Sequence, residues 1–280
     1  MSSELIINST RDKCRIGLLK DKKLVEFHQE NDENKFNVGD IYVGKVKKIN
    51  KSLNAAFIDI GYEKDAFLHY LDLGPQFLSL KTFVKKVRSK GSKISIGSFK
   101  KMDEINKFGK INEVLTKGDE LMIQIVKEPI STKGPRVTTE LSMAGRHLIL
   151  VSFSDAINVS KKISNREERF RLINLIKSIR PKNFGVIVRT VAEKKSVSEL
   201  DKDLKVLTKS WEEGMKMLKK VKVGEKIIGE DNKATTLLRD ILNSSFDNIV
   251  VDDNMVDLRL KEYMNNLINE VGSKDDLVLI

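Results

Sequence analysis

Two phenylalanines, Phe57 and Phe67, stand ten positions apart in the stretch SLNAAFIDIGYEKDAFLHY, one on each side of a predicted turn. Neighbouring strands would therefore bring both rings to one face of a sheet. A ring exposed on a basic sheet stacks a nucleobase, and each stacked base contributes about 1–3 kcal/mol. The same alternation also allows both rings to lie inside a barrel, where phenylalanine is common.

Five lysines around these rings carry the charge needed to bind phosphate groups. They are Lys45, Lys47, Lys48, Lys64 and Lys133. Together with the rings they predict a surface for single-stranded nucleic acid, with bases on the rings and phosphates on the lysines.

A second candidate site follows the apolar run GVIV, where the chain continues as Arg189 and Thr190. A guanidinium fork beside a hydroxyl group suits a terminal phosphate. Lys161 and Lys162, in the stretch VSKKIS, add positive charge nearby in the sequence. The alternative is that Arg189 forms an ordinary ion pair at the protein surface.

The sequence contains no familiar catalytic motif: G-x-S-x-G, G-x-x-x-x-G-K-S/T and H-E-x-x-H are all absent. Asp252 and Asp253 follow the run NIVV, where carboxylates bind metals in some proteins, but they also precede a predicted helix that they can cap. The single Cys14 allows neither an internal disulfide bond nor a cysteine zinc site. Three histidines are scattered along the chain: His28, His69 and His147. We therefore predict no catalytic residue and no metal ligand in this chain.

The chain of 280 residues carries 51 Lys and Arg against 40 Asp and Glu, a formal net charge of +11. This excess favours polyanionic partners, because each neutralised phosphate releases counterions. The alternative is a lysine-rich composition without functional meaning. No apolar run reaches the roughly 18 residues of a membrane span, and the N-terminus lacks the apolar core of a signal peptide. We expect a cytoplasmic protein without a membrane segment, and the cysteine usage agrees with a reducing compartment.

The elements expected to position these residues begin with a meander of three strands, Leu5–Ile7, Cys14–Leu19 and Leu24–Phe27. After the polar stretch HQENDENK, about five short strands separated by glycine-containing turns predict an OB-fold barrel. The segment at about 74–115 is rich in Gly, Ser and Lys, and we interpret it as a long loop with at most one helical turn. It is either a mobile basic flap or a plain insertion.

Two amphipathic helices are predicted in the second half of the chain. The first covers Arg166–Ile179 and has an apolar stripe of Phe170, Ile173, Ile176 and Ile179. The second begins after Ser196, which forms a capping box with Glu199. Its apolar stripe comprises Val197, Leu200, Leu204, Leu207, Trp211 and Leu218. A further helix is predicted from Gly224, ahead of the strand FDNIVVDD.

The stretch GDIYVGKVKKINKSLNAAFIDIGYEKDAFLHYLDL closely resembles the S1-type OB module of the bacterial ribonuclease E/G family. The stretches TTELSMAGRHLIL, SKKIS, GVIVRT and LKVLTKSW follow in the family's order and at similar spacing, and ELIINST, TTLLRDIL and FDNIVVDD match as well. The resemblance covers nearly the whole chain. It implies an α+β multidomain protein, in which an RNase H-like α/β fold is interrupted by an S1-type OB-fold β-barrel and an α/β 5′-sensor region.

The resemblance also implies the domain boundaries. Residues 1–37 and 222–280 would form the two parts of the RNase H-like fold. Residues 38–139 would form the OB-fold RNA-binding domain, with its insertion at about 74–115, and residues 140–221 the 5′-sensor region.

The family's 5′-phosphate-binding residues correspond by resemblance to specific positions of this sequence: Arg189, Thr190, Gly145, Ile149, and, in place of an arginine pair, Lys161 and Lys162. Lysine keeps the positive charge but lacks the planar fork of donors, so the grip on phosphate should be looser. The RNA-contacting rings correspond to Phe57 and Phe67, and an RNA-contacting lysine corresponds to Lys133. We predict RNA binding for these residues and for Lys64 and Lys45.

The family consists of endoribonucleases that process ribosomal RNA precursors and degrade messenger RNA, with a preference for single-stranded RNA carrying a 5′-monophosphate. The resemblance implies Mg²⁺ as cofactor and zinc at a link between protomers of a homo-oligomer. The ligands of both metals would lie outside this chain, those of Mg²⁺ in a DNase I-like domain, so we expect the chain alone to bind RNA without cleaving it. Two alternatives remain: a non-catalytic S1-type RNA-binding protein, and a scaffold protein whose positive charge is incidental.

Overall fold

The computed structural model describes residues 3–10, 13–31, 36–90, 94–229 and 248–251. The chain divides into two compact units, residues 1–35 with 231–280 and residues 36–230. Within the described ranges, no helix combines the length and the apolar composition that crossing a membrane requires.

A four-stranded sheet forms the described part of the first unit. Its strands are β1 (Ser3–Thr10), β2 (Lys13–Lys20), β3 (Lys23–Asn31) and β14 (Asn248–Val251), in the order β14-β1-β2-β3. β1 runs parallel to β14 and antiparallel to β2, which pairs antiparallel with β3. Leu5, Ile7 and Ile16 are buried. The predicted meander of three strands is confirmed, with longer strands than the apolar runs alone indicated.

A closed five-stranded barrel lies at the start of the second unit. Its strands are β4 (Ile41–Asn50), β5 (Ala55–Asp59), β6 (Ala66–His69), β7 (Glu120–Lys127) and β8 (Arg136–Thr138). They follow the order β4-β5-β6-β8-β7, and pairing of β4 with β7 closes the barrel. Alternate apolar side chains such as Val46, Ile58, Leu68 and Ile123 fill the interior. The protein is thus α+β, with a barrel compatible with an OB-fold.

The barrel sheet is extended by a strand that the sequence analysis assigned to a helix. β13 (Lys226–Ile228) pairs antiparallel with β4, and Lys226 Nζ lies 3.2 Å from a carboxylate oxygen of the fully buried Asp40. The prediction of a helix from Gly224 is therefore wrong for these three residues. They belong to the barrel unit, whereas the sequence analysis placed 222–280 in the RNase H-like fold.

The segment predicted as a long loop contains a packed helix. α1 (Phe77–Lys90) buries Phe77, Leu80, Phe83, Val84 and Val87, and it packs against β7. The chain after it is also fixed, because Asn183 Nδ2 donates to the carbonyls of Ile96 and Phe99, both at 2.7 Å. The short helix α2 (Ile111–Val114) then leads back to the barrel. For the described residues of this segment the interpretation as a mobile flap is wrong, since buried apolar side chains anchor α1 to the rest of the unit.

A second sheet and two helices complete the unit. The strands are β9 (Ser142–Ala144), β10 (Leu148–Ser152), β11 (Ile157–Val159) and β12 (Phe184–Val188), in the order β11-β12-β10-β9. β11 runs parallel to β12, whereas the other neighbours are antiparallel. The helices are α3 (Arg166–Ile179) and α4 (Val197–Leu218).

Both predicted helices are confirmed, but their apolar stripes are not entirely as expected. The capping box of Ser196 and Glu199 begins α4, and its predicted stripe is buried except for Val197. In α3 the buried residues are Leu172 and Ile176, while Phe170 is 66% exposed. Steps of three residues drift by roughly 60° each around a helix of 3.6 residues per turn, so Phe170 falls away from the core.

Candidate functional site

The two predicted rings lie on the outer face of the barrel. Phe57 on β5 stands opposite Phe67 on β6, with ring centroids 5.9 Å apart and an interplanar angle of 69°. Both rings are half-buried, and the residues that alternate with them point into the barrel core. The alternative of two interior rings is therefore wrong, and an edge-to-face aromatic pair borders solvent.

A cationic side chain lies next to each ring of this aromatic pair, on the neighbouring strand. Lys48 on β4 stands opposite Phe57, and Arg136 on β8 stands opposite Phe67. Both are exposed, and two hydrogen bonds of 2.9 Å from Arg136 to Asp72 fix its guanidinium group. We call Lys48, Phe57, Phe67 and Arg136 the outer row. The sequence analysis missed Arg136, since no pattern in the stretch GPRVTT relates it to Phe67.

Lys48 is the predicted lysine that belongs to the outer row, and Lys45, Lys64 and Lys133 lie outside it. Lys45 is exposed on β4, where its register partners are Asp59 and Glu120. Lys64 donates to the carbonyl of Ser131. Lys133 is exposed in the same turn as Ser131, so Lys64 and Lys133 lie on adjoining loops before β6 and β8. The two acidic register partners weaken the attraction of Lys45 for a phosphate group.

The second candidate site forms where two parallel strands end side by side. Val159 of β11 and Val188 of β12 are register partners, and the next residues are Ser160 and Arg189. The amide of Ser160 donates to the carbonyl of Val188 at 2.9 Å. The hydroxyl groups of Ser160 and Thr190 lie 2.9 Å apart. Lys161 and Lys162 therefore follow one strand end while Arg189 and Thr190 follow its neighbour.

The turn between β9 and β10 contacts Arg189. Arg189 Nη1 donates to the carbonyl of Gly145 at 2.8 Å, and the Arg189 amide donates to the carbonyl of His147 at 2.9 Å. Ile149 on β10 is half-buried and pairs with Ile187. The backbone positions of the six residues predicted to bind the 5′-phosphate thus lie on adjoining strands and on the turn beside them, and we call this region the strand-end socket.

Asp203 on α4 holds the turn of the strand-end socket in shape. Its carboxylate accepts hydrogen bonds from the amides of Arg146 at 3.1 Å and of His147 and Leu148, both at 2.9 Å. A Cβ atom at Gly145 would lie 2.6 Å from Asp203 Oδ1, so only glycine allows this approach. Asp203 has no signal in the sequence, where DKDLK is an ordinary helix surface.

His147 is a buried, uncharged residue of the same turn. Its ring is only 5% exposed, and burial lowers its pKa. The charges of Arg146 and Lys195 act in the same direction, while Asp203 opposes them. The imidazole is therefore uncharged at neutral pH and adds no positive charge to the strand-end socket.

Arg169 on α3 fixes the lysine-bearing turn. Its guanidinium donates to the carbonyls of Ser160 at 2.6 Å, Ile163 at 3.1 Å and Val159 at 3.2 Å. Lys161 and Lys162 stay exposed on this turn. The backbone that carries the two lysines is thus rigid, while their long side chains keep access to solvent.

Two glutamates fix the chain after Thr190. Glu168 accepts two hydrogen bonds of 2.7 Å from Arg171 and one of 2.7 Å from the amide of Lys194. The bonds from Arg171 lower the pKa of Glu168 to about 2, with Lys194 adding to the effect. Lys195 and the amide of Ser196 lower the pKa of Glu199 to about 2 in the same way.

Replacing Glu168 by glutamine is expected to reduce the acid sensitivity of the fold. The folded-state pKa of about 2 lies below the ordinary value of 4.5 for a glutamate, so this carboxylate stabilises the fold above pH 4.5 and the effect is lost as the pH falls towards 2. The difference in free energy of unfolding between wild type and Glu168→Gln, from urea denaturation, should shrink across that range. Glu167→Gln, at an exposed neighbour, is the control. A difference that stays constant from pH 7 to pH 2 would contradict this role.

The described residues offer no metal centre. Within the described ranges, no three or more His, Cys, Asp or Glu side chains group in a way that could hold a metal ion. These residues therefore do not fit the Mg²⁺ or the zinc that the resemblance implies. Asp252 and Asp253 lie outside the described residues.

Comparison with known proteins finds similarity to proteins named as ribonucleases. Residues 142–277 match the model of the Ribonuclease E/G family. Ribonuclease G of Haemophilus influenzae is 31% identical over 97% of this chain and 52% of its own length, and Ribonuclease G of Escherichia coli K12 is 31% identical over 98% and 52%. Ribonuclease E of Nostoc sp. is 32% identical over 82% of this chain and 30% of its own. The chain spans about half the length of the Ribonuclease G relatives that it matches. It belongs to the ribonuclease E/G family.

Proposed function

We propose that this chain is the RNA-binding and 5′-monophosphate-sensing portion of an endoribonuclease that cleaves single-stranded RNA in ribosomal RNA processing and messenger RNA decay. The observation that carries the proposal is the strand-end socket, where Arg189 and Thr190 follow one parallel strand and Ser160, Lys161 and Lys162 follow its neighbour. Family membership supports RNA as the ligand.

The chemistry of the strand-end socket favours a single terminal phosphate. One guanidinium fork supplies directed donors, the hydroxyl pair of Ser160 and Thr190 supplies one more because one hydroxyl donates to the other, and the lysine pair supplies charge without direction. A triphosphate carries more negative charge and more oxygens than this small set can satisfy. A 5′-hydroxyl end offers no charge for the socket to bind.

The outer row suits the unpaired bases of the same RNA. Phe57 and Phe67 present ring surface to solvent, and bases in a single strand are free to stack on it, whereas bases in a duplex already stack on each other. Lys48, with Lys64, Lys133 and Lys45 around the outer row, supplies charge for the phosphates, whereas Asp72 offsets the charge of Arg136.

A titration comparing two RNA ends tests the proposal. The ligands are a labelled single-stranded RNA with a 5′-monophosphate and the same RNA with a 5′-hydroxyl group. Hydrogen bonds to a charged group contribute about 1.5–3 kcal/mol, so we expect the monophosphate to bind about ten- to 100-fold more tightly. Equal dissociation constants would remove the sensing function and leave only general RNA binding.

The finer assignments of domain and activity belong to the same proposal. The parallel pairing of β14 with β1 beside an antiparallel meander supports an RNase H-like fold for the first unit, and the strand-end socket supports a 5′-sensor at about 140–221. We propose a cytoplasmic enzyme whose full-length form is a homo-oligomer that uses Mg²⁺. Cleavage of single-stranded RNA by the full-length protein in Mg²⁺ would favour it over a non-catalytic S1-type RNA-binding protein, and binding without cleavage would favour that alternative.

A further inference from the structure

We propose that residues 106–110, of sequence NKFGK and here named the stacking turn, form an additional base-stacking site for single-stranded RNA beside the outer row. The proposal rests on the proposed function, because it extends the same RNA-binding face. It assigns a role to part of the segment around 74–115 that the predicted RNA-binding residues do not include.

Phe108 at the tip of the stacking turn is 89% exposed, the highest value among the large hydrophobic side chains that the structure describes. A single exposed apolar residue is common on protein surfaces and would need no explanation by itself. Two further properties set Phe108 apart: the backbone that carries it is fixed by hydrogen bonds, and both of its flanks are basic.

Hydrogen bonds converge on Asn106 to fix the stacking turn. Its side-chain oxygen accepts from the amide of Phe108 at 2.9 Å, and its carbonyl accepts from the amide of Gly109 at 3.0 Å and from the Tyr70 hydroxyl at 2.5 Å. A Cβ atom at Gly109 would overlap the Tyr70 hydroxyl group. Because the backbone is ordered before any ligand arrives, stacking on Phe108 would not have to order a loop.

Asn54 attaches the stacking turn to the strand that carries Phe57. Its side chain donates to the carbonyl of Gly109 at 3.1 Å and accepts from the amide of Ile111 at 2.7 Å. Asn54 directly precedes β5, so Phe57 follows three residues later, about 10 Å along the strand. This spacing allows one RNA strand to contact both Phe57 and Phe108.

The charge around Phe108 selects RNA over an apolar protein partner. Lys107 and Lys110 are both exposed, and they flank Phe108 along the chain. A ring between two cations matches a base between two phosphates, which is the pattern that sequence-tolerant single-strand binders use. Leu53 and Leu71 are exposed on neighbouring segments, so a protein partner is the competing occupant that an experiment must exclude.

The test compares the affinities of four proteins for a 12-nucleotide single-stranded RNA with a 5′-hydroxyl end: wild type, Phe108→Ala, Phe57→Ala and Phe170→Ala. Phe170 is an exposed phenylalanine on α3, so its replacement controls for the loss of any surface ring. We expect Phe108→Ala and Phe57→Ala each to weaken binding about five- to 100-fold, the range set by one base stack, and Phe170→Ala to have no effect. Phe108→Trp should restore binding, since tryptophan also stacks.

The outcomes separate this inference from the function on which it rests. Normal binding by Phe108→Ala with weakened binding by Phe57→Ala would overturn the stacking turn and leave the outer row intact. Normal binding by both variants would overturn the role of the outer row as well. If Phe108→Ala leaves RNA binding unchanged but abolishes a concentration-dependent self-association of the wild type, the turn binds protein and the inference is wrong.

Discussion

Replacing Asp203 by asparagine is expected to lower the free energy of unfolding by about 2–4 kcal/mol and to abolish the preference for 5′-phosphorylated RNA. The Asp203 carboxylate accepts three backbone hydrogen bonds, one at Oδ1 and two at Oδ2. Asparagine keeps only one oxygen and turns an NH₂ group towards the remaining amide donors. The turn that includes Gly145 would shift, and Arg189 would lose the carbonyl to which it donates.

Urea denaturation measures the loss of stability, and the titration with 5′-monophosphate RNA and 5′-hydroxyl RNA measures the loss of the phosphate preference. Asp201→Asn is the matched control, since Asp201 lies on the same helix and its ion pair with Lys205 is a surface contact of the i,i+4 kind. The control should change stability by less than about 0.5 kcal/mol and keep the phosphate preference. A stable Asp203→Asn variant that still prefers the 5′-monophosphate would show that the strand-end socket does not depend on this carboxylate.

Replacing Arg189 by glutamine is expected to weaken binding of 5′-monophosphorylated RNA about ten- to 100-fold and to leave binding of 5′-hydroxyl RNA unchanged. The phosphate would lose its directed charged donors, whereas the outer row would be untouched. Arg189→Lys should give an intermediate result, because lysine retains the charge without the planar fork.

Arg180→Gln is the control for the Arg189 variant. Arg180 precedes the other end of β12, carries the same charge and also donates to a backbone carbonyl, that of Phe184 at 2.8 Å. If the two variants weakened both RNAs equally, the effect would come from net charge and not from recognition of the end. Thermal unfolding of both variants checks that each remains folded.

The strand-end socket illustrates how far the sequence predicts a site. Family motifs identified Arg189, Thr190 and the lysine pair, which are separated along the chain but adjacent in the structure because β11 and β12 run parallel. Asp203 could not be found in this way, since an aspartate on a helix surface looks the same whether or not it accepts hydrogen bonds from a distant turn. Arg136 was also missed, because strand register and not sequence spacing brings it beside Phe67.

Two secondary-structure predictions were wrong, one because the amino-acid composition of a segment was given more weight than its apolar spacing. Phe77, Leu80, Val84 and Val87 recur at helical spacing in α1, but the surrounding lysine, serine and glycine residues led to the prediction of a loop. β13 is only three residues long and is stabilised by pairing with β4, so its sequence alone carries no pattern to detect. Strongly alternating or capped elements such as β5 and α4 were predicted correctly.

The most direct test of the strand-end socket is an NMR titration of the isotope-labelled chain with a short single-stranded RNA bearing either a 5′-monophosphate or a 5′-hydroxyl group. The account predicts that the amide signals of Gly145, Ser160, Lys162 and Thr190 shift with the phosphorylated RNA alone, while signals of β5 and β6 shift with both. Identical shifts for the two RNAs at these four amides would contradict it.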